Sequence, residues 1–599
     1  MHVCILFIFT PIKATTCGRV LIRRIIQLLT SLALVLVIYD FGYVQNRREE
    51  ILIFNAYFGL TLSFAILESY RLYKGQIPFN LFYFIRLVLP YTAFSVIAVD
   101  LLFWGESLRS AVVRNEGWFF INILLLVLYG MSNIARLLYR RNFSPAIIFV
   151  SSFMIVIFFG TIFLKLPNAT NAGITWLDAI FTITSAVSVT GLAVVDTPTT
   201  FTVMGQTVIM VCIQLGGLGM LTLTAFFAYF FKGKSSYVEG LFIRDFLSSD
   251  QFEGLLGLAM KIVLLTLGIE FIGAFFIYIN LPEQEFDSFF DKVFFCAFHS
   301  TSAFCNAGFS TLTNSLYEAP FRFNYNIHLT IAFLIIIGGL GFSIMFNLFM
   351  LVKYAVLNWY NHFVVHLVAY RKAVRIATLN TRVVIFTTMI LLIVGTIAFG
   401  VLEWNGVLKE HPTLWGKLVT SFFGSVTPRT AGFNTVSMAE LSRSTILVTI
   451  LLMWIGASPA STGGGIKTST FAVAIMNIYA VVRNKPRIDY AGREIPQDSV
   501  NRSFAIIVLS WFVIGIGFTV MAQAEGNIPF LSILFECVSA YATVGLSLGI
   551  TPQLSDISKI TLIVVMFVGR VGAITILIGL IKDVDCKNYR YPRESVLIN

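Results

Sequence analysis

The chain has 599 residues, of which 12% are charged, 57% are apolar and 58 are Phe. Its mean hydropathy is +0.83. Soluble globular proteins carry roughly 25% charged residues, so this composition excludes an ordinary water-soluble protein and predicts extensive contact with membrane lipid. The net charge of +11 would suggest a nucleic-acid partner in a soluble chain. In an apolar chain, basic residues mainly set the membrane orientation, so we expect no nucleic-acid partner.

The first apolar stretches form a group of their own. A helix needs ~20 apolar residues to cross a bilayer core of ~30 Å. Four stretches of about this length precede residue 144, at 25–43, 51–70, 79–104 and 117–135. They predict about four extra transmembrane helices in an N-terminal segment, residues 1–140. No motif in this segment indicates what the extra helices do.

From residue 144 onward, one pattern occurs four times: a long apolar span, a short apolar segment, a glycine peptide and a second long span. The glycines of these peptides, Gly191, Gly308, Gly432 and Gly545, recur at intervals of 117, 124 and 113 residues, which indicates internal duplication. A second glycine marker follows each of them after 24 to 30 residues. The long spans lie near 144–164 and 203–231, 254–279 and 326–352, 381–402 and 445–482, and 501–522 and 558–581. This pattern predicts pore repeats at 141–235, 250–355, 380–485 and 500–585, followed by a tail at 586–599.

Basic residues are concentrated in the links that follow the second span of each repeat, for example Arg483, Lys485 and Arg487. The positive-inside rule makes these links cytoplasmic, so the four glycine peptides enter the membrane from outside. With four spans before the first repeat, the chain crosses the membrane twelve times. Both termini are then cytoplasmic.

The four glycine peptides carry the chemistry. Non-helical backbone at membrane depth is tolerated only where it is buried in protein or lines a watery path. A short re-entrant helix followed by a glycine turn directs its C-terminal dipole and a row of carbonyl oxygens toward one axis. Four such elements around that axis replace the water shell of a cation. We therefore predict an all-α polytopic membrane protein with four helix, pore helix, helix repeats and pseudo-fourfold symmetry around one pore. The alternative for the glycine markers of the second spans is close helix packing.

Four sequence motifs resemble the bacterial Trk/Ktr potassium-uptake proteins, relatives of the plant HKT transporters. They are FHSTSAFCNAGFSTL from residue 298, SVTPRTAGFNT from residue 425, GASPASTGGGIKTST from residue 456 and FVGRVG from residue 567, and the resemblance covers about 144–585. It implies a single-file pore with a K⁺ selectivity filter, in which Gly191 rather than Ser in the first loop favours K⁺ over Na⁺. The implied K⁺ ligands are Val189, Thr190, Gly191 and Leu192, Asn306, Ala307, Gly308 and Phe309, Thr430, Ala431, Gly432 and Phe433, and Thr543, Val544, Gly545 and Leu546.

The same resemblance implies a gate below the filter. Arg570 corresponds to an arginine that projects into the pore and opposes cation passage, and a charged group within a span indicates function. The segment Ala457–Lys467 corresponds to an intramembrane loop, and the residues implied in its movement are Gly463, Gly464, Gly465 and Lys467. The alternative for Arg570 is an ion pair with Glu270 or Glu536. We expect Arg429 to brace the filter loop and His299 to be a hydrogen-bonded structural residue.

The resemblance also implies a homodimer with one pore per subunit and a separate cytosolic regulatory subunit that binds a nucleotide, NAD or ATP. No nucleotide motif or organic cofactor motif occurs in this chain, and no acid pair or nucleophile elbow predicts an enzyme. The predicted function is potassium uptake across the bacterial inner (plasma) membrane. The alternatives are a Na⁺ transporter of the same architecture and, in a different class, an intramembrane enzyme. The sequence leaves open whether transport is coupled to Na⁺, to H⁺ or to neither.

Overall fold

The computed structural model describes residues 14–43, 47–73, 91–92, 145–219, 255–282, 286, 288–363 and 378–580. The predicted spans at 79–104 (apart from 91–92) and 117–135 lie outside the described residues, as do the tail at 586–599 and parts of the basic links.

The described chain is built almost entirely from helices. The bounds are α1 (Ala14–Gly42), α2 (Arg47–Tyr73), α3 (Pro145–Leu164), α4 (Trp176–Val187), α5 (Val203–Gly217), α6 (Leu255–Ile279), α7 (Phe289–Phe304), α8 (Tyr325–Leu340), α9 (Phe342–Phe363), α10 (Leu379–Leu402), α11 (Leu414–Val426), α12 (Arg443–Trp454), α13 (Thr468–Val482), α14 (Gln497–Ala524), α15 (Phe530–Ala542), α16 (Asp556–Val571) and α17 (Ala573–Leu580). A hairpin between α13 and α14 contains β1 (Asp489–Tyr490) and β2 (Arg493–Glu494), paired antiparallel with Asp489 opposite Glu494.

The outer surface of the bundle is apolar. Phe271 on α6 is 75% exposed and Val401 on α10 is 73% exposed, positions that are costly in water and favourable in lipid. Among the described residues, six helices are long and apolar enough to cross a membrane: Arg24–Gly42, Arg48–Arg71, Ala259–Ile279, Phe342–Tyr360, Leu379–Leu402 and Gln497–Ala524. The prediction of an all-α polytopic membrane protein is confirmed.

The four short segments form the predicted helices α4, α7, α11 and α15, of 12, 16, 13 and 13 residues. At ~1.5 Å per residue, each is shorter than the bilayer core. Three of them begin at a side-chain cap, since Thr175, Ser288 and Thr413 each accept a backbone N–H of the first turn. The fourth begins directly after Pro529, which cannot continue a preceding hydrogen-bonded turn. Local sequence therefore fixes where each pore helix starts.

In the second and fourth repeats the second long span is not one helix, and here the sequence prediction was wrong. The span predicted at 326–352 breaks between α8 and α9 at Gly341, and the span predicted at 558–581 breaks between α16 and α17 at Gly572. Both glycines have φ of +88°, a conformation in which a helix cannot continue. In the third repeat a non-helical segment, residues 455–467, separates α12 from α13, as the sequence predicted.

The first glycine of the marker explains why three of the four repeats keep the same register. A Cβ at Gly216 would overlap the carbonyl oxygen of Val187 at the end of α4. Gly338 stands in the same relation to Phe304 on α7. In the fourth repeat, Gly569 approaches Tyr541 on α15 in the same way. In the first, second and fourth repeats these glycines let the second span pack directly against the C-terminus of its own pore helix, so the close-packing alternative is correct for them.

Contacts between repeats close the bundle into a ring. Three buried apolar clusters surround the pore helices, and each draws residues from neighbouring repeats. Between the fourth and first repeats, Lys559 on α16 forms an ion pair of 2.7 Å with Asp178 on α4. The pore-helix C-termini therefore point into one shared interior.

Candidate ion pathway

The four glycine peptides lie next to one another in a closed ring. A Cβ on Gly191 would overlap the carbonyl oxygen of Ala307, and one on Gly308 would lie 2.8 Å from the carbonyl oxygen of Ala431. The ring continues from Gly432 to the carbonyl oxygen of Val544 and closes from Gly545 to that of Thr190. No side chain fits at these four positions without displacing backbone. We call this arrangement the glycine ring.

The backbone of the ring follows one pattern in all four repeats. The first residue of each peptide has a positive φ, 58° at Val189, 61° at Asn306, 69° at Thr430 and 51° at Thr543. The second residue does not, and the third is the glycine, with φ between 70° and 90°. Alternation between positive and negative φ turns successive carbonyl groups toward the same side of the chain. A left-handed non-glycine residue costs about 1 to 3 kcal/mol, so four at equivalent positions indicate a functional constraint.

The ends of the pore helices hold the ring in place. The backbone N–H of Thr190 donates to Ser185 O at 2.8 Å, that of Ala307 to Ser302 O at 2.7 Å, and that of Val544 to Ser539 O at 2.9 Å. In the third repeat, Ala431 N–H donates to Thr427 O at 3.0 Å. The side chains of Thr190, Ala307, Ala431 and Val544 are fully buried behind the ring. Arg429 donates to Thr388 O at 3.3 Å and thereby braces the third glycine peptide, as expected for this side chain.

A non-helical segment of the third repeat lies against one edge of the ring. We call residues 455–467 the intramembrane loop. The backbone N–H of Gly464 donates to the Thr543 hydroxyl at 3.0 Å, and a Cβ on Gly463 would overlap the Thr430 hydroxyl. Thr430 in turn is hydrogen-bonded to the Asn306 side chain at 3.1 Å. The loop therefore contacts Thr430 and Thr543, the first residues of the third and fourth glycine peptides. It lies on the side of the ring away from the glycines.

The loop is also fastened to the second repeat. Ser458 N–H donates to Gly339 O at 3.0 Å, and Phe342 N–H donates to Ala460 O at 3.0 Å across the break in the span. The Thr462 hydroxyl donates to Phe304 O, the last residue of α7, at 3.3 Å. The break at Gly341 thus supplies backbone groups that bind the loop.

Two cations lie at the loop, and neither pairs with a carboxylate among the described residues. Arg570 donates to the carbonyl oxygens of Thr462 in the loop and of Gly216 on α5, so it joins the fourth, third and first repeats. Lys467 donates to Gly463 O at 2.7 Å. The alternative ion pair of Arg570 with Glu270 or Glu536 is wrong for the described structure.

A cavity of about 270 Å³ lies on the other side of the loop. Its wall includes Pro459, Ser461, Lys467 and Arg570. Along the interior, the glycine ring is therefore followed by the intramembrane loop with its two cations and then by this cavity. The geometry brings every predicted filter and gate residue into one pathway, while their role as ion ligands or gate stays a prediction.

Sequence reasoning missed several residues of this pathway. Thr462 accepts a hydrogen bond from Arg570, and the only feature of the sequence that pointed to Thr462 was its position directly before the three consecutive glycines. The carbonyl oxygen of Gly216 accepts a hydrogen bond from the same guanidinium. The glycine marker that contains Gly216 indicated only close helix packing. The serines behind the ring, Ser185 and Ser539, bind Gly191 N–H and Gly545 N–H at 3.1 Å each. Both precede their glycine by six residues, a spacing that aligned repeats reveal.

A bundle of lipid-facing helices with re-entrant helices around one interior ring defines a polytopic membrane transport protein. The chain belongs to the TrkH family of cation transport proteins, whose sequence profile it matches over residues 110–589. The match begins upstream of residue 144, where the sequence motifs placed the start of the resemblance.

Relatives with assigned names agree with this family. The chain is 35% identical over 457 residues to Ktr system potassium uptake protein B of Bacillus subtilis, covering 76% of this chain and 97% of that protein. It is 33% identical over 468 residues to potassium/sodium uptake protein NtpJ of Enterococcus hirae, covering 77% and 98%. The crystal structure of the potassium transporter TrkH from Vibrio parahaemolyticus has the same fold, with a TM-score of 0.57, 19% identity and coverage of 83% and 97%. A family of cation transport proteins supports the prediction that the chain is not an enzyme.

Proposed function

We propose that this protein takes up potassium ions through the glycine ring. The observation that carries the proposal is the ring itself, with four peptides of the same alternating φ pattern meeting edge to edge. Carbonyl oxygens turned to one axis replace the water shell of a monovalent cation and leave no route for a hydrated ion. The K⁺ ligands are the residues 189–192, 306–309, 430–433 and 543–546.

The intramembrane loop and Arg570 form the gate of this pathway. The loop lies against Thr430 and Thr543, directly after the ring, and its hydrogen bonds tie it to two neighbouring repeats. The Arg570 guanidinium places a fixed positive charge where a dehydrated cation leaves the ring, which raises the energy of that ion. Passage therefore requires the loop to withdraw and Arg570 to leave Thr462.

Ion flux into vesicles tests the function. Purified protein in lipid vesicles is expected to admit ⁸⁶Rb⁺, a K⁺ substitute, and unlabelled K⁺ is expected to compete for it. Vesicles with the protein that admit no ⁸⁶Rb⁺ above protein-free vesicles would contradict the proposal. The same assay with and without a Na⁺ gradient distinguishes coupled from passive transport.

Sodium transport is the second candidate, because a relative that covers most of this chain is named for both potassium and sodium uptake. The two functions differ in the competing ion. Strong ²²Na⁺ uptake that K⁺ does not inhibit would replace the potassium proposal by the sodium one.

The relatives called Ktr system proteins suggest an assembly of several components. We extend the proposal to a homodimer in the inner membrane of a bacterium, with both termini cytoplasmic and a separate cytosolic subunit that binds NAD or ATP and acts on the gate. Mass measurement of the purified complex tests the dimer. Nucleotide-dependent flux after addition of a candidate subunit tests the regulation.

A further inference from the structure

The second and fourth pore helices carry the same type of hydrogen bond to the chain that leaves the ring. His299 precedes Gly308 by nine residues, and its Nε2 lies 2.9 Å from the hydroxyl of Ser310, two residues after that glycine. Glu536 precedes Gly545 by nine residues, and its carboxylate accepts from the hydroxyl of Ser547, again two residues after the glycine. All four side chains occupy equivalent positions of two repeats. We call these bonds the filter braces.

The hydrogen-bond directions in the two braces agree. His299 Nδ1 lies 2.9 Å from Phe295 O, which only accepts, so Nδ1 carries the proton. In a neutral imidazole, Nε2 is then an acceptor, and the Ser310 hydroxyl donates to it. The hydroxyl oxygen of Ser310 also accepts Leu312 N–H at 3.0 Å. Each brace therefore has an acceptor on the pore helix and a serine that donates to it.

The fourth repeat repeats this network with a different acceptor. Ser547 donates to Glu536 and accepts Gly549 N–H at 2.9 Å, two residues further along the chain. Thr551 adds a second hydroxyl, 3.2 Å from both carboxylate oxygens. Glu536 and His299 are both completely buried, so water does not compete for these two acceptors. A buried hydrogen bond without competing water fixes geometry strongly.

The first and third repeats have no brace at these positions. The residues nine before the glycine are Thr182, whose hydroxyl donates to Asp178 O within its own helix at 2.8 Å, and Phe423, which has no polar group. The residues two after the glycine are Ala193 and Asn434, and the Asn434 amide donates to Asn314 O and Val436 O at 3.4 Å. Since the ring runs in the order of the repeats, the two braced peptides stand on opposite sides of it.

We propose that the His299–Ser310 and Glu536–Ser547 braces determine the preference for K⁺ over Na⁺ by fixing the outer ends of two opposite filter peptides. This inference rests on the proposed role of the ring as a K⁺ filter. Na⁺ is smaller than K⁺, so it needs the carbonyl oxygens to move inward. The braces hold Phe309 and Leu546, which directly precede the two serines, to the rigid pore helices and thereby resist this movement. His299 and Glu536 are positioning residues, since they contact the filter peptides and not the ion.

Paired substitutions separate the acceptor role from simple packing. His299→Leu and Glu536→Leu remove the acceptor but keep a side chain of moderate size, whereas His299→Gln and Glu536→Gln keep an acceptor oxygen. Ser310→Ala and Ser547→Ala remove the donors with little change in volume. Thr182→Val and Phe423→Leu are matched controls at the equivalent positions of the unbraced repeats. The readout is the ratio of ⁸⁶Rb⁺ to ²²Na⁺ initial uptake rates in vesicles, which a loss of folded protein alone does not change.

We expect the uptake ratio to fall by about threefold to tenfold in the Leu and Ala variants, the range that loss of one hydrogen bond produces. The Gln variants and both controls are expected to keep the ratio within about twofold of the unsubstituted protein. If Leu substitution prevents folding, the two Ser→Ala variants carry the test. An unchanged ratio in folded Ser310→Ala and Ser547→Ala protein overturns the inference, and so does an equal loss in Phe423→Leu. Absence of ⁸⁶Rb⁺ uptake by the unsubstituted protein contradicts the proposed function instead.

Discussion

The guanidinium of Arg570 on α16 donates a hydrogen bond to the carbonyl oxygen of Thr462 in the intramembrane loop. This bond links a fixed positive charge to the segment that lies against the glycine ring. Arg570 also donates to Gly216 O on α5, so the loop is tied to two other repeats through one side chain. In the proposed pathway, the same residue opposes a cation electrostatically and holds the obstructing loop in place.

Arg570→Ala is expected to raise ⁸⁶Rb⁺ flux by about tenfold or more. It removes the positive charge and a charge-assisted hydrogen bond, and such a bond is worth about 1.5 to 3 kcal/mol, while a tenfold change in rate corresponds to about 1.4 kcal/mol. Flux into vesicles at equal protein density measures the effect. Arg502→Ala, at an exposed position near the start of α14, is the matched control and should leave flux unchanged. Equal flux in Arg570→Ala and unsubstituted protein would remove Arg570 from the barrier.

Gly464→Ala is expected to displace the intramembrane loop and to raise flux by a few-fold. A Cβ at this position would overlap the Thr543 hydroxyl, which also accepts Gly464 N–H. The loop must move away to relieve the overlap, because Thr543 is fixed within the ring. The control is Gly515→Ala on α14, where a Cβ meets nothing within 4 Å. A flux that is lower than that of Gly515→Ala would mean that the extra methyl group seals the pathway, contrary to the proposed gate.

Gly191→Ser is expected to weaken the preference for K⁺ over Na⁺ by about tenfold. Gly191 has φ of +90°, and its Cβ would overlap the carbonyl oxygen of Ala307 in the next peptide, so serine forces two of the four peptides to shift. Gly173→Ser separates this effect from backbone strain, since Gly173 has φ of +80° but open space around it. Both variants are compared by the ratio of ⁸⁶Rb⁺ to ²²Na⁺ uptake. A similar ratio in the two variants would count against Gly191 as a filter residue.

Much of the fold follows from the sequence because the repeats carry physical signals of length and glycine spacing. Capping residues mark the starts of three pore helices and Pro529 marks the start of the fourth, so local sequence is enough to locate them. The four glycines were expected at one axis and are found in one ring, because duplicated segments with the same register adopt equivalent positions. The third-repeat loop was predicted from the resemblance to the Trk/Ktr proteins, and Pro459 and three consecutive glycines within it disfavour a helix.

The remaining features depend on contacts between distant segments. The break at Gly341 was missed because a single glycine is tolerated in an apolar helix. The break is stabilised by a contact with a distant segment, since Phe342 N–H donates to Ala460 O in the intramembrane loop. The sequence also gave no direct sign that Thr462 receives Arg570. Positive φ at Val189, Thr430 and Thr543 runs against the preference of β-branched residues, so local propensity predicts the opposite conformation. These residues are where the pathway constrains the backbone most.

A buried histidine, His411, contacts both the second and the third repeat outside the membrane-spanning helices, and it predicts that stability depends on pH. His411 is buried in the connection between α10 and α11, and its ring lies 3.1 Å from the Tyr325 hydroxyl and 3.3 Å from the Thr420 hydroxyl. Burial lowers the pKa of His411 below its ordinary value of 6.5, and the nearby charges of Arg322 and Lys417 lower it further. The folded protein therefore resists a proton that the unfolded chain accepts.

The contribution of His411 to the free energy of unfolding is complete above pH 6.5 and is lost progressively as the pH falls below that value, by at most about 1.4 kcal/mol per pH unit. We expect the unfolding midpoint of the detergent-solubilised protein, followed by tryptophan fluorescence, to decrease between pH 7.5 and pH 5.5. His411→Gln keeps hydrogen-bonding groups but cannot titrate, so its midpoint should decrease less over the same range. His299 and His328 are buried as well and remain in both proteins, so the difference between the two pH profiles isolates His411. Parallel profiles would show that the proton is taken up elsewhere and that His411 does not link the repeats in the way the structure indicates.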